Sequence, residues 1–239
     1  MIDPGGEEAS LEETEYNDPA LEDPAVALAM VVRLWKSGML REMDSLTFLV
    51  SLFTVVKKVV MEDGLERVLL RLIFDYRKGN RLWRKPPHVT LASPSAMAAM
   101  DLSNPEIEDM EVDFASGDIP SWFYLQEVPE EISAYFGING VTPKQVKEEL
   151  IKEGWKGRMP DERRSHLAVR TLLMGWSWAV YLAQANLEQI ARRALGDCTQ
   201  LTLGEPAISF SLEKRMASWL YIDDFGVVTI RAKPSLKQD

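Results

Sequence analysis

The chain has 239 residues, 46% of them hydrophobic, enough to bury one large core rather than a string of modules. One cysteine, Cys198, excludes an internal disulfide, and two histidines are too few for a Cys/His zinc cluster. No apolar run is long enough to cross a bilayer, and the first 24 residues carry neither Lys nor Arg nor an apolar stretch, so the expectation is an intracellular, soluble protein without membrane contact, with cytoplasm or nucleus left open.

The formal net charge of -10 argues at first against a nucleic-acid partner, because phosphate binding needs Lys and Arg. Residues 1–23 hold nine of the acids (Asp3, Glu7, Glu8, Glu12, Glu13, Glu15, Asp18, Glu22, Asp23) and no base. Without them the chain is near neutral, and local basic stretches can line a groove. The segment to about residue 23 reads as an acidic, disordered tail.

Asp23-Pro24 is an N-cap followed by proline at the first helical position, predicting a helix from Ala25 to Trp35 that stops near Gly38. Phe48 to Val56 and Leu69 to Phe74 are β-branched and aromatic, with Lys57, Lys58 and a Glu62-Asp63-Gly64 turn signal between them. They read as two antiparallel strands joined by a polar, basic loop, with two short helices as the alternative. Glu111 to Gly117 reads as a strand leading to Trp122-Phe123-Tyr124, where Pro120 could start a helix. Thr142-Pro143 opens a polar helix from Val141 to Glu153. Ser177 to Leu195 reads as a long helix stopped by Gly196, with Trp178, Tyr181, Leu182 and Ala185 on one face. An inserted loop is expected around Leu201 to Leu212. Trp219 to Ile222 and Phe225 to Ile230 flank Asp223-Asp224, predicting a hairpin with an acidic corner. The mixture is α+β.

Three aspartates invite a chemical reading. Nucleotidyl transfer uses two divalent ions roughly 3.5–4 Å apart, which want hard oxygen ligands converging from different strands. Asp223 and Asp224 on a hairpin, with Asp118 at the end of a neighbouring strand, meet that need; Asp113 is a rival for Asp118. Tyr221-Ile222-Asp223-Asp224 resembles the Tyr-x-Asp-Asp box of reverse transcriptases. Arg71-Leu-Ile-Phe-Asp75-Tyr76-Arg77-Lys-Gly-Asn80 resembles the family's fingers motif, and Asp118 followed five residues later by Phe123 resembles its first palm aspartate and aromatic. Gly175-Trp176, with Gln184 nine residues after the glycine, resembles its next box. The motifs occur in the family's order.

The resemblance implies right-hand polymerase fingers and palm, an antiparallel palm sheet packed on helices, with residues 24–110 as N-terminal helix and fingers and 111–239 as palm. It implies an RNA-directed DNA polymerase acting on an RNA or DNA primer-template with deoxynucleoside triphosphates and Mg²⁺ or Mn²⁺. Asp118, Asp223 and Asp224 would be catalytic and metal-holding. Arg71, Phe123 as a steric gate, Gly175 and Trp176 would meet the nucleotide; Tyr221 and Gln184 the primer or template; Lys57, Lys58 and Arg67 are further candidates on the basic hairpin. Read from the residues alone, Asp75 and Arg77 make a structural ion pair, Phe123, Trp176 and Trp178 could be core, and His88 and His166 have no role. Only 15 residues follow Asp224, so the family's thumb is missing, and thumb and ribonuclease H segments are expected from a longer polyprotein. A catalytically inactive retroelement remnant, at most a binding module, is the alternative. An RNA-templated RNA polymerase is disfavoured by the fingers motif and Phe123.

Overall fold

The computed structural model describes residues 1, 2, 16, 18–196 and 198–233. Its elements in chain order are α1 (Pro24–Lys36), β1 (Leu40–Met43), β2 (Ser51–Glu62), β3 (Leu65–Asp75), α2 (Pro94–Ala98), β4 (Met110–Asp118), α3 (Glu130–Ser133), β5 (Gly137–Ile138), α4 (Pro143–Lys152), β6 (His166–Val169), α5 (Ala179–Leu195), β7 (Thr199–Gln200), β8 (Met216–Tyr221) and β9 (Asp224–Ala232). The chain is α+β; among the described residues the named strands pair antiparallel except β7 beside β8, and two isolated bridges, Leu49 to Gly137 and Asp101 to Ser209, are parallel. Among the described residues no helix is long and apolar enough to cross a membrane.

The chain forms two units, Met1–Pro86 with Phe123–Ala179, and Pro87–Trp122 with Val180–Asp239. They interleave, where the sequence suggested consecutive segments meeting at residue 110. The physical reason is strand pairing. β4 finds its partner in β9, more than a hundred residues later, so the intervening chain belongs elsewhere.

In the first unit, the Asp23 carboxylate caps α1 by accepting from Ala25 N at 2.8 Å, and Gly38 takes φ +77° after the last turn. Most of the expected tail lies outside the described residues. Its end is not disordered: Pro19–Glu22 is a 3-10 turn capped by Asp18. A small sheet in the order β1-β6-β5 buries Leu40, Ile138, Leu167 and Val169. Thr142 and Gln145 form a reciprocal capping box on α4. β2 and β3 make a long two-stranded hairpin. Asp63 and Gly64, both at positive φ, supply the two-residue turn that matches strand twist. The expected basic loop is therefore absent: Lys57 and Lys58 lie on β2, where the register shifts between Val56 and Lys58.

In the second unit the sheet order is β4-β9-β8-β7. Ile107, Leu201, Phe210, Ala217, Val228 and Ile230 form its core. The segment expected as an inserted loop thus supplies two core residues, Leu201 and Phe210, because each drops an apolar side chain onto the sheet. On α5 the buried positions in this unit are Ala183, Gln184 and Leu187, not the Tyr181, Leu182 and Ala185 face. Pro120 does not open a helix. It precedes Ser121, at φ +59°, and the 3-10 turn Trp122–Leu125.

Candidate active site

Asp118 ends β4 and Asp224 begins β9, and the antiparallel register sets them opposite one another. Tyr221, the last residue of β8, is opposite Asp224 on its other side. Directly opposed residues share a sheet face with Cβ atoms about 4.5–5.5 Å apart. One row across three strands therefore reads Asp118, Asp224, Tyr221, all three exposed. Asp223 lies in the turn beside this row. The corner is Ile222-Asp223, one residue earlier than expected, because Asp224 is already paired in the ladder.

Ile222 has φ +62°. That left-handed conformation crowds a β-branched side chain and costs roughly 1–2 kcal/mol. Its surroundings hold it there. Gln184, 2% exposed, accepts the Ile222 N–H at 2.7 Å on Oε1, and its Nε2 donates to Glu188 at 2.9 Å and Leu220 O at 3.5 Å. Ile119 N donates to Asp223 O at 2.9 Å and ties the turn to the end of β4. Gln184 was expected at the primer or template. The side chain is buried and holds the turn that carries Asp223.

The acids are uncompensated. Burial raises the Asp223 carboxyl above its ordinary range, with Asp224 and Asp118 adding to the effect. Among the described residues no Lys or Arg forms an ion pair with any of the three. The rival Asp113 is neutralised by Arg231, which also meets Glu111 at 3.1 Å. Three hard oxygen donors without a cation suit Mg²⁺ or Mn²⁺ chemically. The backbone brings the aspartates to one sheet end, but among the described residues no three His, Cys, Asp or Glu side chains are gathered as a ready-made ion site. Two glycines behind the row lie under aromatic rings. A Cβ on Gly117 would come 2.7 Å from the Phe225 ring, and one on Gly226 would strike Trp219. A glycine inside a strand marks such an approach, which is the signal by which both could have been found.

The first unit holds a second cluster. Asn80 donates to Gly175 O at 2.8 Å and accepts from Ser177 N at 2.7 Å, pinning the Gly175 loop to the end of the Arg71–Asn80 segment. Gly175 is at φ +114°, and a Cβ there would sit 2.5 Å from Phe74 O. Only glycine fits. Sequence reading gave Asn80 no role beyond its place in the motif, although that place was the available signal. Asp75, 8% exposed, pairs with Arg77 at 2.6 Å and accepts from Tyr16 N at 3.2 Å, so the structural ion pair is present. The Arg77 guanidinium holds the Asp75 carboxyl down at about 2.

Trp176, expected at the nucleotide, is 2% exposed and packs edge-on against Trp83 at 5.0 Å and Phe136 at 5.2 Å. Phe123 is half-buried. Arg71 is exposed and close enough to Tyr124 to oppose the upward push that burial gives its phenol. Arg67 pairs with Glu62 at 2.8 Å, and Lys57 and Lys58 are exposed on the hairpin. His88 and His166 are exposed. Comparison of the sequence with protein-family models and with curated proteins finds no match.

Proposed function

We propose that this chain carries the fingers and palm of an RNA-directed DNA polymerase, which adds deoxynucleotides to a primer 3′-hydroxyl on an RNA or DNA template. The observation that carries the reading is the row Asp118–Asp224–Tyr221 with Asp223 in the adjoining strained turn. Like charges directly opposed across a ladder destabilise a sheet, and a strained turn adds to the cost. A site that keeps both is built for a cationic ligand. Asp118, Asp223 and Asp224 would hold two Mg²⁺ or Mn²⁺ ions. Such ions activate the attacking oxygen and neutralise charge on the departing pyrophosphate. Gln184 holds the turn. Arg71 meets the triphosphate, Phe123 screens against a 2′-hydroxyl, the Gly175 backbone lines the nucleotide, and Tyr221 lies at the primer end.

A second reading is a remnant that binds but does not catalyse. Primer extension on oligo-dT/poly-rA with labelled dTTP and Mg²⁺ decides between them. Incorporation that disappears in Asp223→Asn/Asp224→Asn supports the polymerase. Silence from the chain, and also from the chain joined to a thumb, leaves the remnant.

A further inference from the structure

Four arginines gather on an open cleft of the first unit, about 360 Å³ in volume. Arg41 belongs to β1, and Arg170 follows β6, its N–H donating to Met39 O at 2.9 Å. Arg158 and Arg164 lie between α4 and β6. That segment is pinned. The Arg158 carbonyl accepts from Trp35 Nε1 at 2.8 Å and Trp155 Nε1 at 3.3 Å, and the Arg158 guanidinium lies 4.5 Å over the Trp35 ring. Asp161 N donates to Glu42 at 3.2 Å. Guanidinium groups held on a fixed frame lose little freedom when a ligand arrives.

The acids of the cleft leave one guanidinium short. Glu42 pairs with Arg158, Asp44 with Arg164 and Glu127 with Arg170. Asp161, which also lines the cleft, is held by Arg163 at 2.7 Å. Arg41 has no carboxylate to itself: its ion pair is with Glu127 at 3.9 Å, already engaged by Arg170, and its Nη2 donates to Val128 O at 2.9 Å. Glu130, on the lining, attracts Arg41 from beyond ion-pair distance. Burial, with Arg170 and Arg158 adding to it, holds the Arg41 guanidinium below its ordinary range. The Nε–H groups of Arg41 and Arg170 are buried and have no acceptor. Buried donors are nearly always paired, so two orphans on neighbouring arginines mark a missing partner.

We propose that this cleft binds a phosphate group, either free as inorganic phosphate or at the 5′ end of a nucleic acid. A carboxylate is planar and its two oxygens match a single guanidinium fork. A phosphate dianion is tetrahedral and presents three strong acceptor oxygens. It can therefore meet forks that arrive from β1, from the end of β6 and from the segment between α4 and β6, and its charge answers Arg41. The cleft shares no residue with the Asp118–Asp224–Tyr221 row and does not rest on the polymerase reading.

The full chain is titrated with inorganic phosphate by calorimetry, at constant ionic strength set with chloride. EDTA is present, so that no divalent ion can carry the anion to Asp223 and Asp224. Saturable binding is expected in the parent, weaker by about tenfold or more in Arg41→Gln and in Arg164→Gln. Arg164 is only partly buried, so its variant remains a test should Arg41→Gln fail to fold. Arg33→Gln removes an exposed guanidinium on α1 and should leave the affinity unchanged. No saturable binding by the parent, equal binding by the parent and both cleft variants, or an equal loss in Arg33→Gln shows an ion-pair network only and overturns the proposal. A second titration compares 5′-phosphorylated with 5′-hydroxyl oligothymidylate. Tighter binding of the phosphorylated strand than of inorganic phosphate, lost in Arg164→Gln, supports the site and names the nucleic-acid end as its source; phosphate binding alone supports it with free phosphate as the source.

Discussion

Replacing Gln184 with methionine keeps an unbranched side chain of similar volume and removes its hydrogen bonds. The Ile222 N–H then loses its acceptor at 2.7 Å, and Glu188 loses a donor at 2.9 Å. Leaving a buried donor unpaired costs about 1–3 kcal/mol. Ile222 is only half-buried, so water recovers part of this and the lower half of the range applies. The φ of +62° is then no longer enforced, and the turn can relieve its strain by moving Asp223. The expected result is a loss of about 1–2 kcal/mol in urea unfolding, together with amide exchange at Ile222 faster by about an order of magnitude. Primer extension should fall further than stability accounts for, since the polypeptide remains folded while a carboxylate is misplaced. Unchanged exchange at Ile222 in Gln184→Met would refute the assignment of Gln184 as the support of this turn.

Gly175→Ala should lower stability by about 2–4 kcal/mol in a thermal melt, because φ +114° and a Cβ 2.5 Å from Phe74 O must both be relieved; a variant as stable as the parent would contradict the packing. Asp75 is an acid whose folded pKa, about 2, lies below its unfolded value, so its contribution is complete above pH 4 and lost as pH falls through 2. Worked from that shift, Asp75→Asn should cost about 2 kcal/mol at pH 7 and little at pH 2, read from urea midpoints across the range. Asp223 behaves oppositely. Its folded pKa is raised, so ionising it costs stability as pH rises above its ordinary value. Asp223→Asn should therefore melt higher than the parent at pH 7 and equally at pH 3, while primer extension is lost; equal melting at both pH values would show that the ionised carboxyl is penalised neither by burial nor by its acidic neighbours.

Local chemistry was readable from sequence wherever one stretch of chain settles its own conformation. Asp23-Pro24 caps α1, Thr142-Pro143 opens α4, Asp63-Gly64 turns β2 into β3, and Gly196, at φ +65°, ends α5. Each depends on φ preferences and hydrogen bonds within a few residues. Asp118, Asp223 and Asp224 could be named from their positions between apolar runs. That Asp118 opposes Asp224, while Asp223 stands in the turn, depends on ladder register between β4 and β9, a long-range choice made by the whole sheet. The same reason separates the two aromatic and amide residues that sequence assigned to ligands. Trp176 and Gln184 carry the same side chains whether they face a nucleotide or a core, and only the packing of Trp83 and Phe136 around one, and of the β8–β9 turn against the other, decided their burial. Likewise Gly175 announces conformational freedom in sequence, but the Phe74 carbonyl that makes glycine obligatory comes from a strand a hundred residues away, and only the tertiary structure brings it there.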